Sequence, residues 1–473
     1  MTNTKSAKVG FRDFPKNYWL VIFFEFIERG SYYGMMSILS VYMTDNLGFS
    51  KEGVGIIKST IQPLLYFLPI LTGAIADKVG YRKTLMVAFS LLGLGYIATS
   101  QFDTYSAVFL SLVLMGFGAG TFKPVISGTI ARVTNENTSS LGFGIFYWSI
   151  NLGAFLFPLF IVPALKSINP SYVFLASGIA TALMLIPTML WFKDPVEKKA
   201  NQAKESFIFV AKEIFQKIAK VVSDWRFMLF IFIYSWFWIL YFQMFDTVLW
   251  YVDMFVDAAP LNNFINGLFG THWAFDVEHV TVINAGTIIL LQLVISYIVK
   301  HTKPLPTMIA GITLGVIGMA VLSFSQSIWV FILGTVIFSL GEMTAHPKYI
   351  AYLGSIAPQD KKATYMGFSF LYGVFGSFVG GIVGALLYVN LVDNPMIGFV
   401  KNKLIAGGQS VSGKLDIKHA LELAQSAGFS KSQILSQAHT QELWLIFSSI
   451  GVICIIALLL YNKFIGISIA QKN

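Results

Sequence analysis

The residues YWLVIFFEFIERGSYYGMMSILSVY, positions 18–42, decide how the chain is read. The run is long enough to cross a bilayer, which takes about 20 apolar residues. It nevertheless holds Glu25, Glu28 and Arg29 near its middle. At the advance of an α-helix, Glu25, Glu28, Arg29 and Tyr32 share one face, at i, i+3, i+4 and i+7. A charge in hydrocarbon costs a few kcal/mol at the least, so such residues are rarely accidental there. One reading is an ion pair that fixes helix packing; the other is the wall of a polar, proton-sensitive cavity. Two acids against one base on the face favour the cavity.

The rest of the chain supports a membrane setting. Of 473 residues, 55% are hydrophobic and 12% charged, and mean hydropathy is +0.68. A soluble protein of this length carries about twice that charged fraction. Apolar runs of helical length recur, and the short alternating segments of a β-barrel do not. The fold class is therefore an all-α polytopic membrane protein. Twelve spans are expected, near 17–44, 54–77, 83–101, 105–133, 140–167 and 172–193, then 226–252, 280–300, 304–326, 328–355, 362–391 and 441–466. The net charge of +9 is not a nucleic-acid signal, because the basic residues sit mostly in short loops between apolar runs. Cys454 is the single cysteine, which excludes an intramolecular disulfide and a cysteine metal site. The basic start followed by a long, internally charged run reads as a retained helix rather than a cleaved signal.

The layout divides at a charged stretch, Lys193–Asp224. It gives a six-helix half over 1–193, a linker over 194–224 and a second six-helix half over 225–473, as in a two-fold pseudo-symmetric transporter. The linker has apolar Phe207, Val210, Ile214, Ile218 and Val221 between lysines, an amphipathic helix for the membrane face. Lysine and arginine asymmetry puts both termini in the cytoplasm, in the inner membrane of a cell. The external insert 393–441, with short helices expected over 414–426 and 430–438, reads as a tolerated insertion more than a cap.

Nine ionisable residues fall at membrane depth: Glu25, Glu28, Arg29, Lys58 and Lys123, then Asp246, Glu342, His346 and Lys348. With His346 neutral, four acids balance four bases, which suits an ion-coupled carrier better than a channel built on rings of like charge. Lys58 and Lys348 lie within reach of helix ends, where snorkelling is an equal alternative. Tyr32, Tyr33, Tyr66, Asn151, Gln243 and Asn284 supply polar groups for a solute, although such residues serve as often in helix packing.

Further on, Gly73-Ala-Ile-Ala-Asp77-Lys78-Val-Gly80-Tyr-Arg82-Lys83 resembles the cytoplasmic loop motif of the major facilitator superfamily. Its Asp77 is expected at a helix end, available to pair across the interface of the halves. The opening stretch, Glu25-Phe-Ile-Glu28-Arg29-Gly30-Ser-Tyr32-Tyr33-Gly34, resembles the signature of proton-dependent oligopeptide transporters, with Gly30 where that family has Phe. Phe122-Lys123-Pro124, Phe146-Tyr-Trp-Ser-Ile-Asn151-Leu-Gly153, Ile283-Asn284-Ala285 and Gly341-Glu342 with Pro347 resemble further family segments, in order and in both halves. Two positions depart. Phe242 stands before Gln243 where the family has an acid, with Asp246 one helical turn on as a substitute, and Ser369 replaces a tryptophan.

The resemblance implies a proton-driven symporter that imports di- and tripeptides, using protons and no other cofactor. Arg29 and Lys123 would attract the substrate carboxylate and Glu342 its amino terminus; Tyr32, Tyr66, Asn151 and Asn284 would hydrogen-bond the peptide group. Glu25 and Glu28 would compete for Arg29 and Lys123, so that protonation frees a base. The expected partners are small peptides and the lipid bilayer, with no nucleic acid and no metal, and the chain working as a monomer. The alternative is a facilitator-fold carrier of another small solute: an amino-acid conjugate, an anion or a drug. A sensor or a membrane-embedded enzyme fits poorly, because no catalytic set accompanies the lone His346.

Overall fold

The computed structural model describes residues 11–135, 138–195, 216, 218–358, 362–408 and 415–466. Among them, eleven helical segments are long and apolar enough to cross a membrane. The first helix, Lys16–Met36, carries Glu25, Glu28 and Arg29 in its middle and makes the twelfth crossing. The all-α multi-pass reading is borne out. Apart from an isolated bridge between Asp257 and Ser327, the described elements are helical.

Span boundaries follow local chemistry. The second helix, Lys51–Val79, starts after Ser50, whose hydroxyl accepts from the Gly53 amide at 3.1 Å, and stops at Gly80 with φ +100°. That conformation suits glycine and little else. The fourth span is Tyr105–Val133, as expected from its apolar run. Asn17, at the start of the first helix, donates to the Lys193 carbonyl after the sixth span at 2.9 Å, so both ends lie on one membrane face. This is called the linker face below, and the opposite one the far face.

Small residues set the packing distances. A Cβ added at Gly95 would lie 2.6 Å from the Met115 nitrogen, and one at Gly311 would lie 2.6 Å from the Ala345 nitrogen. The third span thus meets the fourth, and the ninth meets the tenth, backbone to backbone, by the same device in each set of six. Between the halves, a Cβ at Gly55 of the second span would lie 2.6 Å from the Gly381 carbonyl of the eleventh. The departure at Gly30 has a similar cause. A side chain there would collide with the Phe157 ring of the fifth span.

Three expectations need correction or completion. The seventh span is broken: Trp225–Gln243 and Thr247–Phe255 are separate helices joined by a turn at Met244–Asp246. The eleventh runs beyond residue 391, through Val389–Asp393 into Asn394–Ala406, so the insert begins as a helix. It continues as Ile417–Ser426 and Lys431–Leu435, within the ranges expected. An unforeseen helix, Ala259–Phe269, lies between the seventh and eighth spans. Most of the amphipathic linker, 196–215 and 217, lies outside the described residues.

Candidate functional site

The first helix turns its charged face inward. Glu25, Glu28 and Arg29 are all buried. The Arg29 guanidinium donates to Glu28 Oε2 at 2.5 Å and lies 3.6 Å from Glu25 Oε1. Among the described residues its Nη2 and Glu28 Oε1 are buried with no hydrogen-bond partner. Leaving such groups unmade is costly, so these two atoms mark a place for a further polar ligand. Tyr32 lies under the guanidinium, its ring centre 4.9 Å from Arg29 Cζ, with Tyr33 edge-on at 5.3 Å.

Lys123, on the fourth span, is within electrostatic reach of Glu25, Glu28 and Arg29. Among the described residues no carboxylate lies within 4.0 Å of it, and its ammonium sits 5.0 Å over the Tyr66 ring instead. The expected competition of Glu25 and Glu28 for two bases is thus resolved in favour of Arg29 in this conformation. Glu342, in the other half on the tenth span, accepts from Asn284 Nδ2 at 3.1 Å, and Asn284 also donates to Ser339 at 2.9 Å. No cation lies within 4.0 Å of Glu342 among the described residues. Tyr33, whose ring centre lies 6.1 Å from that of Phe245 in the second half, stands where the halves meet.

Tyr66 stands at the junction of the halves. It contacts Phe242 and Tyr372 of the second half at 5.9 and 6.0 Å between rings. A cavity of about 440 Å³ on the linker-face side is lined by Tyr66, Pro69, Lys123, Ser127, Phe368 and Tyr372, with Ile218 at its edge. That volume is in the range of small-molecule clefts, about 300–1,000 Å³.

The far face is shut by ion pairs that join the halves. Lys51 Nζ meets Asp393 at 2.8 Å against the rings of Trp250 and Tyr388. Lys166 meets Asp276 at 2.7 Å and Glu278 at 2.9 Å. Burial pushes the Glu278 carboxyl above the usual carboxylate range, and Lys166 opposes that. Deeper in, Lys58 Nζ meets Asp246 Oδ1 at 2.8 Å, and Ser40 donates to the same oxygen at 2.9 Å. Both partners are buried.

This last pair decides between the two alternatives for Lys58 and overturns the expectation for Asp246. Lys58 does not snorkel. Asp246 does not continue the face of Phe242, because the helix breaks between them. Lys348 does serve a helix end, donating to the carbonyls of Val299 and Thr302. Gln243 goes to packing: its amide donates to Ile239 and Gly380 carbonyls and its oxygen accepts from Thr247. Asn151 donates within its own helix to the Tyr147 carbonyl at 2.9 Å.

The loop motif is also placed differently. Asp77 accepts from Arg132 at 2.7 Å and from Tyr81 at 3.0 Å, both in its own half. Arg82 reaches the carbonyls of Thr188 and Met189 at the end of the sixth span. Gly80 supplies the tight turn, while a Cβ added at Gly73 would make ordinary contact with Pro124. Lys78 and Lys83 complete the basic loop beside it. Through Asp77 and Arg82 the motif thus clips together spans of the first half.

The Major Facilitator Superfamily model matches residues 19–381, well over half of the chain. The chain belongs to the Major Facilitator Superfamily. Among relatives of this superfamily member, an uncharacterized transporter, YclF, of Bacillus subtilis is 34% identical over 37% of the chain and 38% of its own length. Dipeptide and tripeptide permease B of Xenorhabdus bovienii is 31% identical over 34% of each chain. The chain thus matches little more than a third of the length of these relatives. A solved structure of a peptide transporter POT in complex with sulfate superposes with a TM-score of 0.69 at 19% identity, covering 98% of this chain and 96% of the other. That likeness bears on the fold. The oligopeptide-transporter resemblance read in the motifs agrees with the name of the Xenorhabdus relative.

Proposed function

We propose that this facilitator is a proton-coupled symporter that imports di- and tripeptides across the cytoplasmic membrane by alternating access, as a monomer with both termini in the cytoplasm. One observation carries the reading. Among the described residues, Arg29 presents an unpartnered Nη2 in the first half, and Glu342 has no cation within 4.0 Å in the second. A short zwitterion satisfies both, its carboxylate at Arg29 and Lys123 and its amino terminus at Glu342. Such a ligand bridges the halves and favours the state in which they approach one another.

The ion pairs place this structure with the far face closed and the cavity on the linker side. The coupling proton would act at Glu28, whose protonation releases Arg29 for the substrate. Asp246, paired with buried Lys58 across the halves, would report on the far-face gate. The permease name of the Xenorhabdus relative and the signature in the first helix support a peptide substrate over another solute.

Thermal stabilisation of the purified protein across a panel of peptides and metabolites tests the substrate, since a ligand of the folded state raises its stability. Di- and tripeptides are expected to stabilise. Stabilisation only by non-peptide solutes would overturn the peptide assignment. Within that panel, Glu342→Gln is expected to weaken a free dipeptide roughly 10–100-fold, the loss of a charge-assisted hydrogen bond. An N-acetylated dipeptide should be nearly indifferent to the same change. Equal losses for both would remove Glu342 from contact with the amino terminus.

A further inference from the structure

The helix Ala259–Phe269 on the far face has no part in the site just described, and its surface is unusual. From Ala258 to Thr271 the chain carries no charged residue. Phe264, Leu268 and Phe269 are 60%, 64% and 68% exposed. Leu261, in the first turn, is buried. A polar loop helix in water would keep such rings covered. Here the exposed stripe includes Phe264 and Leu268, one turn apart.

Its height in the membrane is fixed by its neighbours. Asp257, just before the helix, is bridged to Ser327, the residue that caps the tenth span. Phe264 makes an edge-on contact with Trp329, ring centres 6.0 Å apart, in the first turn of that span. Trp329 is itself 47% exposed, and Leu333, one turn further into the span, is also exposed. The stripe on the short helix is therefore continuous with the lipid-facing side of a spanning helix, at the level where aromatic residues belt the bilayer.

We propose that Ala259–Phe269 is an interfacial anchor, lying in the outer polar–apolar boundary of the bilayer with Phe264 and Leu268 in the lipid. Interfacial helices bury an apolar face about 5–10 Å into the headgroup and acyl boundary. The anchor is tied to the far-face gate by its asparagines. Asn266 bonds both the carbonyl and the amide of Trp273, at 2.8 and 2.7 Å, and Asn262 accepts from the Phe275 amide at 2.8 Å. Those residues lead directly into Asp276 and Glu278, which hold Lys166 of the first half. The lipid interface thereby holds one jaw of that clasp at a fixed height.

The test places one fluorescent label at a time on Phe264→Cys, Leu268→Cys or Asn263→Cys in the full chain with Cys454→Ser, reconstituted in vesicles. Lipids brominated near the headgroup end of the acyl chain are expected to quench the first two labels several-fold more than the third. A water-soluble quencher should show the opposite order. All three sites are exposed, so folding is not at stake. Equal access of the aqueous quencher to all three labels, with no effect of brominated lipid, would overturn the proposal. So would cross-linking between copies through Phe264→Cys without lipid quenching, which would make the stripe a contact with a second chain.

Discussion

Glu28→Gln is expected to abolish proton-driven accumulation of substrate while leaving exchange of substrate across the membrane. The guanidinium of Arg29 is held by Glu28 at 2.5 Å and only loosely by Glu25 at 3.6 Å. A neutral glutamine reproduces the protonated state of Glu28, so Arg29 stays free for the substrate carboxylate whatever the pH. Binding and exchange need only that free base. Accumulation needs a proton to be taken up and released in each cycle, and a charge moved through the membrane field is worth about 2.3 kcal/mol per 100 mV. That corresponds to a concentration ratio of roughly 50-fold per proton, which the variant should lose. Counterflow and gradient-driven uptake in the same vesicles separate the two. Accumulation by Glu28→Gln at the native level would remove Glu28 from the coupling step, and loss of exchange as well would make its role structural.

The second large effect is expected at Asp246. In Asp246→Ala the buried Lys58 ammonium keeps the Phe245 carbonyl at 3.1 Å but loses its only carboxylate among the described residues. Leaving one charge of a buried pair uncompensated costs about 3–5 kcal/mol. The cost falls on the state in which the halves meet at the far face, enough to shift its population by roughly two to four orders of magnitude. Spin labels at Asn46→Cys and Asn402→Cys, at the far ends of the two halves, should show the far face opening. The double change Lys58→Met with Asp246→Leu removes both charges and should restore the closed far face and the thermal stability. Label distances unchanged in Asp246→Ala would make the pair a bystander to gating.

The two variants concern features that were unequally legible in the sequence. The charged face of the first helix follows from spacing alone, because i, i+3 and i+4 positions must share a face on any helix. The spans follow from apolar length, and the tight turn at Gly80 from its motif. The partner of Lys58 does not follow from any local pattern. Asp246 is reached only when two halves close, and its helix breaks at Met244–Asp246 with neither glycine nor proline to announce it. The same limit applies to Gln243 and Asn151, whose amides are polar enough for a solute but are spent on neighbouring carbonyls. Composition tells that a polar group must be satisfied, and only the packing tells by what.

The helix at Ala259–Phe269 shows a different limit. Its start and stop are written in the sequence, with Pro260 in its first turn and Gly270 at φ +64° after its end. At eleven residues it is too short to register as a span, and its apolar stripe makes sense only beside Trp329.

Uptake of a labelled dipeptide into proteoliposomes, with and without an inward proton gradient at equal internal pH, tests the central claim most directly. Accumulation above the external concentration is expected when the outside is acidic, collapsing when a protonophore is added. Uptake that reaches the same level whether or not the gradient is present would contradict proton coupling.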